Sequence, residues 1–87
     1  MYYEAKSVKY IRDYILEIVF VDGAKGVTDL SEYSKRGGVF SPFADIEFFK
    51  KVYINQDLGV LAWPGEIDIA PETIYEKVTG KTIKMGT

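Results

Sequence analysis

The chain has 87 residues, with 13 acids against 11 bases for a net charge of −2, and it contains neither cysteine nor histidine. Lack of cysteine excludes disulfides, thiolate zinc sites and thiol nucleophiles, and lack of histidine removes the usual general base near neutral pH and the commonest transition-metal ligand. The near balance of charge gives no electrostatic reason to expect nucleic acid or an anionic membrane as the main partner.

This length accommodates one domain, expected over residues 1–80, with 81–87 as a flexible tail. A domain near this size buries only about 60–65% of the surface its unfolded chain exposes. Aromatic residues, 15% of the chain, therefore carry much of the core, and pairing with a second copy or a partner would add burial. No charged region followed by an apolar run opens the sequence, so no secretory signal is expected. The longest strongly apolar run, Ile18-Val19-Phe20-Val21, is far short of the roughly 20 residues of a membrane span. A cytoplasmic protein is expected.

Residues 2–10 read as a strand near a sheet edge, closed by a turn at Ile11-Arg12-Asp13. Residues 14–21, "YILEIVFV", form the clearest strand, since β-branched and aromatic residues dominate. Tyr14, Leu16, Ile18 and Phe20 share one face by period two, and apolar residues on both faces predict a central position. Asp22-Gly23 is a hairpin dipeptide, leading to a third strand over 25–30. "SEYSKRGGVF" reads as the least regular part, with Gly37-Gly38 after Lys35-Arg36 predicting a mobile loop. Ser41-Pro42 then predicts an N-cap and first helical residue, with Phe43, Ile46 and Phe49 facing inward to 49. Residues 51–55 and 60–63 form a second hairpin around 56–59. Pro71 opens a final helix with Ile74, Tyr75 and Val78 on its apolar face, and Gly80 ends it. The order predicts an α+β fold: a mostly antiparallel sheet of about five strands, a short central helix and a C-terminal helix.

The segments "YILEIVFVDGAKGVTDL", "FADIEFFKKVYIN" and "GVLAWPGEIDIAPETIY" resemble the family catalogued as domain of unknown function 2442, over roughly residues 7–76. The last segment is the most specific, joining a Trp-Pro pair, an aspartate and Pro-x-x-x-Tyr at fixed offsets. The resemblance implies a small bacterial α+β protein without an established activity. It also implies neighbours: relatives occur beside a second small protein in pairs that look like toxin–antitoxin modules. Some relatives carry an added helix-turn-helix domain, which is not expected here, because the chain ends soon after its last helix. The family's usual Trp-Pro-Asn-Gly turn is replaced by Trp63-Pro64-Gly65-Glu66. The family supplies no catalytic residues.

The candidate ligand- or partner-binding residues are Trp63, Asp68, Tyr75, Tyr33 and Arg36. Trp63 could stack on a planar ligand or anchor an interface; as structure, it ends a strand and packs beneath the last helix against Tyr75. Asp68 could join Glu66 and Glu72 around a cation, or accept hydrogen bonds from amides entering that helix, whose N-cap position holds the poor capper Ala70. Arg36, in Lys35-Arg36-Gly37-Gly38 close after Tyr33, could help cradle an anion, although no Walker pattern is present. Asp22 and Asp29 are better explained by a turn and a cap than by acid–base work. Seven tyrosines, including Tyr2, Tyr3 and Tyr10 of the first strand, suit either a half-buried edge or a pairing surface.

These residues favour a non-catalytic protein-interaction or small-ligand-sensing module with no cofactor and no metal, acting through self-association or a small protein partner. A carboxylate-dependent enzyme is the second reading. Direct nucleic-acid binding is the third; it needs Lys6, Lys9, Arg12, Lys35 and Arg36 on one face.

Overall fold

A computed structural model describes residues 3–80. The chain folds as α+β, but its strands form two three-stranded antiparallel sheets rather than one sheet of about five. The first sheet holds β1 (Ala5–Arg12), β2 (Ile15–Phe20) and β3 (Lys25–Asp29); the second holds β4 (Tyr53–Asn55), β5 (Val60–Trp63) and β6 (Ile67–Ile69). The short helix α1 (Ile46–Phe49) precedes the second sheet, and α2 (Pro71–Thr79) follows it. Two causes separate the observed sheets from the expected one. Two 3₁₀ segments, Ser31–Lys35 and Gly38–Ala44, fill the connection between β3 and α1. The sixth strand, only three residues long, is too short to show an alternating pattern.

In the first sheet β2 is central, and Leu16, Ile18 and Phe20 are fully buried while Ile15, Glu17 and Val19 are half-buried. β1 begins later than expected, at Ala5, and runs to Arg12, with register shifts between Ala5 and Ser7 and between Tyr10 and Arg12. Tyr2 and the 81–87 tail lie outside the described residues; of the other two tyrosines, Tyr3 precedes the strand and Tyr10 lies in it. The hairpin at Asp22-Gly23 forms as expected: Gly23 N–H donates to the Phe20 carbonyl at 3.0 Å, and Asp22 Oδ1 accepts from Ala24 N–H at 2.8 Å.

The core between the sheets is aromatic. Phe43 is fully buried and stands 4.5 Å from Trp63, 5.3 Å from Phe49 and 5.4 Å from Phe40 by ring centroids. Tyr33 continues the chain of rings through Phe40 at 5.0 Å. These contacts order a stretch whose glycines and charges read as a mobile loop, because burial of the large aromatic rings offsets the conformational entropy lost in fixing the residues beside them. The helix start also moves. Pro42 lies inside the second 3₁₀ segment, and Asp45 is the N-cap of α1, its carboxylate accepting from Glu47 N–H at 3.0 Å.

α2 follows the expected boundaries, with Pro71 at its first turn and Gly80 in the left-handed region at φ 74°. It lies on β3 at Gly26, where a Cβ would stand 2.9 Å from Val78 Cγ1 and 3.1 Å from the Val78 carbonyl oxygen. Only glycine admits that approach without a shift.

Candidate functional site

Trp63 ends β5 and is fully buried. Its indole N–H donates to the Phe49 carbonyl at 2.9 Å, and its ring contacts are Phe43 and Phe49. The expected packing of Trp63 against Tyr75 does not occur. Tyr75 instead meets Tyr3 at 5.0 Å and Phe20 at 4.8 Å, because α2 crosses the first sheet while Trp63 faces α1. In this fold the indole presents no open ring for stacking.

Tyr75 donates its hydroxyl to Asp22 Oδ2 at 2.7 Å, tying α2 to the β2–β3 turn. That hydrogen bond, with desolvation behind it, raises the Tyr75 pKa above the ordinary phenol value. Asp68 sits exposed on β6, opposite Ala62. Among the described residues no hydrogen bond reaches its carboxylate, so it does not cap α2 as expected, and no side chain caps Ala70. Strand geometry turns Asp68 to solvent between buried Ile67 and Ile69.

Tyr33 and Arg36 are brought together. The Arg36 guanidinium lies 4.1 Å above the buried Tyr33 ring. It also pairs with Glu32 at 3.1 Å, and Glu32 in turn takes Lys77 of α2 at 3.0 Å. The Lys77 hydrogen bond and charge, then Arg36, hold the Glu32 carboxyl below its usual pKa. This network fastens the first 3₁₀ segment to α2 and occupies the guanidinium that was a candidate for anion binding. The five candidates thus fall into separate places: one pair beside α2, one ring in each of two core regions, and one solvent-facing carboxylate.

The turn after Trp63 keeps left-handed backbone at two positions, Gly65 at φ 87° and Glu66 at φ 64°. Moving the glycine one place forward from the family's usual order leaves a glutamate where a glycine would be unstrained.

The acids are dispersed. Asp22 and Asp29 lie beyond one end and at the other end of β3, and Asp29 Oδ1 accepts from Ser31 N–H at 2.9 Å. Asp45 caps α1. Among the described residues no three acidic side chains gather to hold a metal ion. Nor do they contain a helix long and apolar enough to cross a membrane.

One surface was not singled out from the sequence as a site: the outer face of the first sheet. Ile15, Glu17 and Val19 of β2 point to it, flanked by Lys9 and Arg12 on β1 and by Lys25, Val27 and Asp29 on β3. Val27 is 56% exposed, as is Val21 just past β2. A solvated antiparallel face usually alternates to polar residues; here the outward positions of β2 are apolar on either side of Glu17. The signal was present in "YILEIVFV", but apolar residues on both faces were read only as a mark of a central strand.

The comparisons fit this fold. The family model described as "Protein of unknown function (DUF2442)" matches residues 5–80. The chain belongs to the DUF2442 family. That match spans every strand and helix of the DUF2442 fold described above, from Ala5 of β1 to Gly80 at the end of α2. No curated protein and no solved structure matches the chain.

Proposed function

We propose that this DUF2442 chain is a non-catalytic protein-interaction module whose contact surface is the outer face of the β1–β3 sheet. The observation that carries the reading is the half-buried Ile15 and Val19 beside exposed Val27 on the sheet face opposite buried Leu16, Ile18 and Phe20. Such a face gains by burial against another protein. The placement of the other candidates supports the same reading: Trp63, Tyr33 and Tyr75 are buried, Arg36 is paired, and the aspartates stand at turns, caps and an exposed strand. Dispersed carboxylates weigh against the carboxylate-enzyme reading, which needs two acids around one substrate.

On this reading the chain is one half of a two-protein set of the toxin–antitoxin-like kind that the family resemblance implies. Co-expression with the product of the neighbouring gene, followed by a binding isotherm, tests it. The wild-type chain is expected to bind, and Val27→Glu, at an exposed position, is expected to weaken binding at least tenfold with an unchanged circular dichroism spectrum. Equal binding by wild type and Val27→Glu would remove this face from the account.

A further inference from the structure

We infer that a second copy of this chain fits the outer face of the β1–β3 sheet, in a two-fold pair that lays β1 of one copy over β3 of the other. The inference rests on the interaction-module reading and names a partner for it. The ladder registers arrange the outward residues in three rows across the sheet: Arg12, Ile15 and Asp29; Lys9, Glu17 and Val27; Ser7, Val19 and Lys25. A two-fold axis parallel to the strands keeps every row at its own height and exchanges the two edges.

Two faces joined in this way bring Arg12 over Asp29 of the second copy, and by symmetry twice. Ile15 meets Ile15 and Val19 meets Val19 along the axis, and the stem of Lys9 covers exposed Val27. Aligned sheets rotate by about 30°, a displacement within the reach of an arginine at the corner. One contact is unfavourable, because Glu17 meets its own copy. It is offset by Lys25, 4.0 Å away in the same chain, and by Lys9 directly across the ladder. The other in-plane axis, across the strands, would set Lys25 over Asp29 but would oppose Lys9 to Lys9 and leave Arg12 facing Ser7. Charge complementarity therefore selects the first arrangement.

The face is small. Three strands about 4.8 Å apart and five residues rising about 3.4 Å each give roughly 250 Å² per copy, against about 800 Å² per partner in a standard stable interface. The pair is thus transient.

Sedimentation over a concentration series up to about 1 mM, high enough to populate weak pairs, tests the arrangement, with circular dichroism confirming the fold of each variant. Val27→Lys, which sets a second cation against Lys9 of the other copy, is expected to weaken association at least tenfold, and Glu17→Gln to tighten it severalfold by removing the like-charge contact. Arg12→Asp and Asp29→Arg are each expected to weaken it. An equimolar mixture of these two variants is expected to associate as well as wild type, because each introduced charge then meets its opposite. That rescue separates pairing from the loss of the Asp29 cap on Ser31. A wild-type chain that stays monomeric throughout, or a mixture no tighter than either variant alone, overturns the two-fold pair. If binding to the neighbouring gene product still responds to Val27→Glu, only the second-copy proposal falls; if that response is absent as well, the interaction-module reading falls with it.

Discussion

Glu66 shows most simply how one residue departs from what its backbone prefers. At φ 64° it follows Gly65 at φ 87°, so the turn between β5 and β6 demands two left-handed residues and supplies one glycine. A left-handed L-residue costs about 1–2 kcal/mol, and the greater freedom of glycine in the unfolded chain offsets roughly half of that. Glu66→Gly is therefore expected to stabilise the fold by about 0.5–1 kcal/mol in urea denaturation, while Glu66→Val, β-branched at the same φ, is expected to destabilise it. Trp63, one turn away, was the residue most open to a functional reading. Its hydrogen bond to the Phe49 carbonyl and its contact with Phe43 make it a core residue whose polar atom is satisfied.

At the scale of elements, α2 is held to the rest of the chain by three different devices: the Gly26 contact, the Tyr75–Asp22 hydrogen bond and the Glu32–Lys77 ion pair. Gly26→Ala forces a methyl into Val78 and its carbonyl and is expected to cost about 1–3 kcal/mol, read from the denaturation midpoint. The ion pair has a pH signature. Because Glu32 is more acidic in the folded chain than unfolded, its contribution is present above the ordinary carboxylate pKa and is lost as pH falls through the lowered one. Glu32→Gln is expected to remove that part of the acid-side loss of stability while leaving the neutral-pH fold in place, as a thermal melt series from pH 7 to below about pH 4, the ordinary carboxylate range, would show.

These elements differ in how far the sequence disclosed them. β2 and the Asp22-Gly23 turn were legible because alternation and turn chemistry are local, and Pro71 and Gly80 framed α2 for the same reason. β6 was not: three residues between a proline–glycine corner and Pro71 carry no period. The 3₁₀ segments were hidden by Gly37-Gly38, since their order comes from Tyr33 and Phe40 packing in series onto Phe43, and from Phe43 meeting Trp63 of the second sheet. Of the candidate residues, only the Tyr33–Arg36 association joined two that lie close in sequence. The placement of Trp63 away from Tyr75 depends on which sheet each element crosses, which no local pattern encodes.

At the scale of the whole molecule, the two sheets enclose one aromatic core and leave the first sheet with an outer face rich in Ile15, Val19 and Val27. The membership of the chain in DUF2442 agrees with the fold and leaves the activity to be argued from surfaces. On the proposed reading, this outer face is where the protein meets a protein. The most direct measurement is the two-dimensional amide spectrum of the isotopically labelled chain over a concentration series. Progressive shifts are expected at Lys9, Ile15, Glu17, Val19 and Val27, with the Trp63 indole and Asp68 stationary. Shifts gathered instead around Tyr33 and Arg36, or around Asp68 on β6, would contradict it.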